Sequence, residues 1–239
     1  WNRVKLPPYE LIMSEGTKYG SQEHHSSVSQ QLSELLSPEM RVTSLLLWGC
    51  WFLLSYGSWG FAFLLPIVFT KLHSSNVYLN SLIVMCVGML GYIVVTAVVE
   101  RFSRRRLMAA TLLIGGCITS LLCISANPIY VLIIGMFSNF VGTFPWEILY
   151  TYSSEVYPTS SRTTAMGVCS TFTRLGGTIT PLVGTALLAE AYFLPFLSYG
   201  LALILAGILA AFLPYETVGK ELTDHLGERD TMDKRHEVK

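Results

Sequence analysis

Residues 153–162 read Ser-Ser-Glu-Val-Tyr-Pro-Thr-Ser-Ser-Arg, and an apolar segment follows from Thr163 to about Leu188. That segment is long enough to cross a bilayer as one helix. Its only charged residue is Arg174, which at about 1.5 Å of rise per residue lies about 15 Å deep in a hydrocarbon core about 30 Å thick. An arginine at that depth costs at least about 3 kcal/mol unless it faces a partner, water or a ligand. We therefore expect Arg174 to face a cavity.

The residues around Arg174 are small and polar. They are Cys169, Ser170, Thr171, Thr173, Gly176, Gly177, Thr178, Thr180 and Pro181. This composition is typical of a helix that packs closely on its neighbours and lines a polar cavity, and not of a helix that faces lipid. The Gly-Gly pair and the proline also predict that this helix can bend.

The composition of the chain predicts an all-α polytopic membrane protein. Of its 239 residues 51% are hydrophobic and 13% charged, with a formal net charge of zero, whereas a soluble protein of this length carries more charge and shorter apolar runs. The five cysteines all lie in apolar segments, which argues against a disulfide framework or a zinc site. The first residue is Trp rather than Met, and we expect the chain to be part of a longer protein.

Six apolar segments lie between two polar ends. We expect a cytosolic linker over residues 1–40, with a short amphipathic helix at 28–36, and a cytosolic tail over residues 214–239. The predicted spans of the six-helix bundle, residues 41–213, are about 43–69, 77–99, 107–125, 128–152, 163–188 and 191–213. Six spans place both ends of the chain on the same side of the membrane.

Lysine and arginine are distributed unevenly between the two sides. Between the apolar segments and at the ends, one side carries Arg3, Lys5, Lys18, Arg41, the arginines of 101–106, Arg162, Lys220, Arg229, Lys234, Arg235 and Lys239. The other side carries only Lys71. Because positive residues accumulate in cytoplasmic loops, we expect both termini in the cytosol. The sequence leaves open whether the membrane is the plasma membrane or that of an intracellular vesicle.

Carboxylates and guanidinium groups recur together in three clusters on the predicted cytosolic side. Their members are Glu100, Arg101, Arg104 and Arg105 in the first, Glu155 and Arg162 in the second, and Glu216 in the third. Opposite charges at the ends of neighbouring helices can form salt bridges that break when the helices separate. We expect one contact network, a cytosolic gate, in which the first cluster approaches the start of span five and the second approaches Glu216. The alternative is that these charges only mark helix ends and orientation.

In this order and spacing the three clusters resemble the second half of a major facilitator superfamily transporter. The first cluster is similar to the Asp-Arg-x-Gly-Arg-Arg loop of that superfamily, but Glu100, Ser103 and Thr96 replace an Asp and two Gly residues. The Glu155–Arg162 pair and the Pro-x-Glu-Thr-x-Gly sequence at 214–219 resemble the sugar-porter branch.

A narrower resemblance is to the synaptic-vesicle-two-related transporters. It rests on the stretches 142–144, 150–152, 155–159, 169–170, 174–176 and 179–181. The resemblance implies twelve spans in two pseudo-symmetric halves, with the substrate between them. It also implies that this chain supplies the last six spans and the central linker, that the amino-terminal half is missing, and that transport proceeds by alternating access.

Seven residues within the predicted spans are candidates for binding the solute. They are Arg174, Glu147, Tyr56, Ser58, Trp59, Asn139 and Trp146. Arg174 can bind an anionic group, as arginine does in this span of relatives with organic-anion substrates; the alternative is a structural ion pair, for example with Glu147. Glu147 can carry a proton, with its pKa raised by desolvation, or act as a counter-ion for a neighbouring helix. The aromatic residues can instead be packing residues.

The function predicted from these observations is secondary transport of a small organic solute, preferably an anionic metabolite, because Arg174 is the only deep positive charge. A sugar is the second choice, supported only by the sugar-porter-like motifs. A non-transporting membrane protein with a trafficking or binding role is the alternative from another class. We expect no enzyme, because no Ser/Lys, Ser/His, paired-Asp or His-ligand arrangement lies within the spans. We also expect no cofactor, no metal and no nucleic-acid partner, while proton coupling stays open.

Overall fold

The computed structural model describes residues 28–38, 40–74, 76–99 and 101–214. Within these ranges the chain is helical and contains no strand, which confirms the predicted all-α class. The helices are α1 (Val28–Leu35), α2 (Arg41–Lys71), α3 (Val77–Val99), α4 (Arg104–Leu121), α5 (Pro128–Val156), α6 (Arg162–Glu190) and α7 (Leu194–Ala211).

Helix α5 shows how the sequence sets a helix boundary. The Asn127 side chain accepts a hydrogen bond from the backbone N–H of Ile129 at 2.9 Å, and Pro128 occupies the first turn, where its missing N–H costs nothing. The helix continues to Val156, past the expected end at residue 152, and stops before Pro158. The residues before Pro158 are therefore helical rather than loop.

Two other helix boundaries differ from the expected ones. Helix α4 begins at Arg104, earlier than the expected 107, and ends at Leu121, short of 125. Helix α7 begins at Leu194 rather than 191. In both cases hydropathy was a poor guide, because charged residues can form the first turn of a helix and apolar residues can lie in a loop.

Each half of the bundle contributes three helices, and the contacts between them repeat. Helix α2 packs on α6 and α7, helix α5 packs in the same way on α3 and α4, and α4 packs on α7. Exchanging α2–α4 with α5–α7 therefore leaves the contact pattern unchanged. Around the bundle the order is α3, α5, α4, α7, α2, α6, with smaller contacts of α2 with α3 and α5.

Glycines let several of these helices approach backbone to backbone. A β-carbon built at Gly176 of α6 lies 2.5 Å from the carbonyl oxygen of Phe52 in α2, and one at Gly116 of α4 lies 2.8 Å from the carbonyl oxygen of Gly200 in α7. Only a residue without a side chain fits at such positions. The small-residue pattern around Arg174 thus reflects close packing of α6 on α2.

Four helices are long and apolar enough to cross a membrane, judged by length and composition: α2, α3, α5 and α7. Helices α4 and α6 do not meet that criterion. Three arginines begin α4, and α6 is rich in glycine, serine and threonine and carries Arg174. The crossing of the membrane by all six helices α2–α7 stays a prediction.

The amphipathic segment before the bundle forms α1, which lies against the start of α6. Leu35 is buried in the core at that end, and the Thr164 hydroxyl donates a hydrogen bond to the side-chain oxygen of Gln31. The short helix expected at the end of the linker is therefore present and packed. The rest of the linker call, residues 1–27, and nearly all of the tail, residues 215–239, lie outside the described residues.

Candidate functional site

A cavity of about 320 Å³ lies within the bundle, with walls from α2, α3, α4, α5 and α7. Its lining residues are Gly57, Ser58, Trp59, Phe61, Ala62, Tyr92, Thr119, Ser138, Asn139, Gly142, Thr143, Trp146, Glu147, Tyr150 and Leu203. Since α5 supplies seven of them, the cavity follows the face of α5 that α3 and α4 leave open.

Five of the seven predicted solute-binding residues line this cavity: Ser58, Trp59, Asn139, Trp146 and Glu147. Tyr56 and Arg174 do not. The sequence stage missed two aromatic residues that line it, Tyr92 and Tyr150. Tyr150 is one helical turn after Trp146 and Glu147, so helical spacing from those two residues would have found it. Nothing in the local sequence of α3 distinguishes Tyr92.

Glu147 brings a carboxyl group to the cavity wall. In the described part of the chain its side chain forms no ion pair and no hydrogen bond, and it is partly buried. The Tyr92 hydroxyl from α3 is close enough to interact electrostatically with Glu147 and with Tyr150. A carboxyl group in this setting can hold a proton or a cationic group of a solute.

Aromatic rings form the wall beside Glu147. The rings of Trp146 and Tyr150 stack with centroids 6.4 Å apart, and Trp51 packs edge-on against Tyr150 at 4.6 Å. The indole N–H of Trp51 donates a hydrogen bond to the Ser153 hydroxyl at 3.1 Å. Trp51 is 1% exposed and so supports the two lining rings from behind, which makes this wall rigid.

Two of the predicted binding residues have their polar groups occupied by neighbouring helices. The Asn139 amide donates a hydrogen bond to the carbonyl oxygen of Val84 in α3 at 2.8 Å, where Gly88 leaves room for it. The Tyr56 and Ser198 hydroxyls lie 3.2 Å apart across α2 and α7. These groups join helices, which explains why polar residues occur there without a solute.

Arg174 lies on an exposed polar strip of α6. The strip consists of Thr163, Gly167, Ser170, Thr171, Arg174, Thr178 and Thr185, all exposed. The opposite face of α6, with Gly176, Thr180 and Gly184, is buried against α2 and α7. Within the described residues no ion pair joins Arg174 to Glu147, so the structural pair considered from the sequence is not formed here.

Trp59 lies between the cavity and this strip. A β-carbon built at Gly177 of α6 is 3.7 Å from Cδ1 of Trp59, which also lines the cavity and is 56% exposed. Gly177 lies within one turn of Arg174 on the same helix. The indole of Trp59 is thus a surface shared by the cavity of Glu147 and the strip of Arg174.

At one end of the bundle the structure brings the first two charged clusters together. Arg104, which begins α4, forms an ion pair with Glu155 near the end of α5, with the two side chains 15% and 24% exposed. Arg105 donates a hydrogen bond to the carbonyl oxygen of Ala211, the last residue of α7. Three helix ends are therefore connected by adjacent arginines.

The other predicted gate residues take different positions. Arg162 donates to the carbonyl oxygen of Tyr157 at 3.4 Å and does not pair with Glu155. Arg101 is exposed, and no polar contact of its side chain is found among the described residues. Glu100 and Glu216 lie outside the described residues, so the expected approach of the second cluster to Glu216 stays a prediction.

Within the described ranges no group of histidine, cysteine, aspartate and glutamate side chains could hold a metal ion. All five cysteines are free. Cys50 and Cys169 are buried in the core with apolar neighbours, while Cys86 and Cys117 are exposed on the outer faces of α3 and α4. The sites that the described residues do form are the cavity, the polar strip and the charged end.

The sequence was compared with known families and proteins. A family model described as the Major Facilitator Superfamily matches residues 41–232. The svop-1 protein of Caenorhabditis elegans is 30% identical over 93% of this chain and 45% of its own length. The synaptic vesicle 2-related protein of Xenopus laevis is 27% identical over 93% and 43%, and human solute carrier family 22 member 13 is 33% identical over 94% and 39%. The chain thus spans less than half the length of these relatives.

Proposed function

The chain belongs to the major facilitator superfamily, and we propose that it is the carboxy-terminal half of a secondary transporter for a small organic solute. The family match, the all-helical fold with four strongly apolar helices, and relatives named as solute carriers or transporters support this proposal. The relatives are more than twice as long as the matched segment, in keeping with a second half that completes the solute pathway.

We further propose that the solute carries an anionic group and that Arg174 binds it. The observation that carries this proposal is the exposed polar strip of α6, where Arg174 has no ion-pair partner among the described residues. An unpaired guanidinium at bilayer depth is unfavourable in lipid, so the strip should face the other half across a water-filled pathway. A guanidinium offers a planar fork of donors that suits a carboxylate.

Closure of the pathway at the charged end is part of the same proposal. The Arg104–Glu155 pair and the Arg105–Ala211 contact join α4, α5 and α7, and the lysine and arginine distribution predicts that this end is cytosolic. Partly buried charge pairs of this kind are stable only while the helix ends stay together. Their separation would accompany opening to the cytosol, as alternating access requires.

The test is uptake by the full-length protein with Arg174 replaced. Arg174→Lys keeps the charge but loses the two-pronged geometry, so transport should fall; Arg174→Ala should lower apparent affinity further, by roughly 30-fold or more, the effect of losing a charge-assisted pair worth about 2–5 kcal/mol. Arg106→Ala, an exposed arginine outside the proposed pathway, is the matched control and should transport normally.

Two results would contradict the anion proposal. In one, Arg174→Ala transports as well as the unmodified protein while reaching the membrane in equal amount. In the other, Arg174→Ala is unstable and Glu147→Ala restores stability, which would show that the two residues form a structural ion pair in the full-length protein. A sugar or another neutral solute would then be favoured.

A further inference from the structure

We infer that the cavity beside Glu147 binds an organic ammonium group, so that the solute is a zwitterion whose anionic end lies at Arg174. This inference rests on the proposed transport function and adds the class of substrate. It concerns the cavity wall formed by Trp59, Tyr92, Trp146, Glu147 and Tyr150.

The charge of the cavity points to a cationic occupant. Among its lining residues Glu147 is the one acid, and none is lysine, arginine or histidine. The carboxyl group has no polar partner within the described part of the chain. An anionic group in this cavity would face the like charge of Glu147 without compensation, whereas a cationic group would neutralise it.

The aromatic surface points the same way. Trp59, Tyr92 and Tyr150 are 56%, 42% and 51% exposed, so their rings are accessible from the cavity and its mouth. Trp146 completes the wall by stacking on Tyr150. Aromatic faces attract cations, and several rings around one carboxylate are a typical site for an alkylammonium group.

The polar groups deeper in the cavity are already engaged with each other. The Thr119 and Ser138 hydroxyls lie 2.7 Å apart, and the Asn139 amide donates to the carbonyl oxygen of Val84. A sugar needs several open donors and acceptors arranged around its hydroxyls. Because the inner wall offers few, a compact ammonium group fits the chemistry of this cavity better than a sugar ring does.

The position of Trp59 relates the two charged sites. It lines the cavity on one side and lies next to Gly177, close to Arg174 on α6, on the other. A solute with a positive group in the cavity and a negative group on the strip would pass over this indole. Each charge of the zwitterion would then meet a protein charge of opposite sign.

The experiment measures binding of four probes to the full-length protein. Betaine carries a trimethylammonium and a carboxylate group, and 3,3-dimethylbutanoate has the same shape and the carboxylate but no positive charge. Choline carries only the positive charge, and 3,3-dimethylbutanol is its neutral counterpart. Comparison within each pair isolates the contribution of the ammonium group.

We expect the unmodified protein to bind betaine and choline at least about tenfold more tightly than their uncharged-head counterparts. Glu147→Gln should abolish that preference while leaving the affinity for 3,3-dimethylbutanoate unchanged or higher. Trp146→Leu should weaken betaine and choline in the same way but less strongly. Glu190→Gln, an exposed acid at the end of α6, is the matched control and should change none of the four affinities.

The inference is overturned if the unmodified protein binds none of the four probes, or binds each neutral-head compound as tightly as its ammonium counterpart. It is also overturned if Glu147→Gln retains the preference, or if that variant loses transport without any change in binding, which would assign Glu147 to proton transfer. Failure of the proposed anion site looks different: Arg174→Gln would then leave betaine and 3,3-dimethylbutanoate binding intact while the choline result stands.

Discussion

The charged end of the bundle and its middle treat polar groups in opposite ways. At the end, Arg104 pairs with Glu155 and Arg105 caps α7, so charge is satisfied within this chain. In the middle, Glu147 and Arg174 have no ionic partner among the described residues, although Asn139 near them is hydrogen-bonded to a neighbouring helix. Paired groups of the first kind stabilise the fold, while open charges of the second kind are available to a solute.

The largest expected effect concerns the charged end. Glu155→Arg should lower the free energy of unfolding of the full-length protein by about 3 kcal/mol, because it removes the carboxylate partner of Arg104 and adds a like charge. Combining it with Arg104→Glu should recover most of the loss. Thermal unfolding in detergent measures both. Glu190→Arg at an exposed position is the control, and equal stability of Glu155→Arg and the unmodified protein would show that the pair does not hold this end together.

A second comparison separates the two faces of α6. Gly176→Ala should destabilise the protein by about 2 kcal/mol, because its β-carbon would collide with the carbonyl oxygen of Phe52 and push α6 from α2. Gly167→Ala, on the exposed strip with nothing within 4 Å, should be neutral or stabilising by about 0.5 kcal/mol, since alanine favours a helix. Similar losses for both variants would mean that the strip of Arg174 is packed rather than open.

The smallest expected effect tests the assignment of Asn139 to packing. Asn139→Ala should cost about 1 kcal/mol of stability through loss of the hydrogen bond to Val84. Solute affinity should change little, because the amide N–H groups are directed to α3. Ser58→Ala, on the opposite wall of the cavity, is the control. A large fall in affinity at unchanged stability would instead place Asn139 in the binding site.

Much of the candidate site was predictable because helical segments carry their own spacing. Trp146, Glu147 and Asn139 lie on one helix, and α2 supplies Ser58 and Trp59, so five predicted residues share one cavity. The roles of Tyr56 and Asn139 were not predictable, because the partners that occupy them come from other helices. Tyr92 was missed for the same reason: it reaches Glu147 only through the packing of α3 on α5.

By itself, the sequence determined the membrane class, the all-α fold and the superfamily, because these follow from apolar segment lengths and from short motifs near helix ends. Only the tertiary structure decided which charges meet. Arg104, rather than Arg162, is the partner of Glu155, and Arg174 lies apart from Glu147. The physical reason is that partner choice depends on which helices are neighbours and on how each is rotated about its axis. Neither quantity is encoded in the spacing of residues along a single helix.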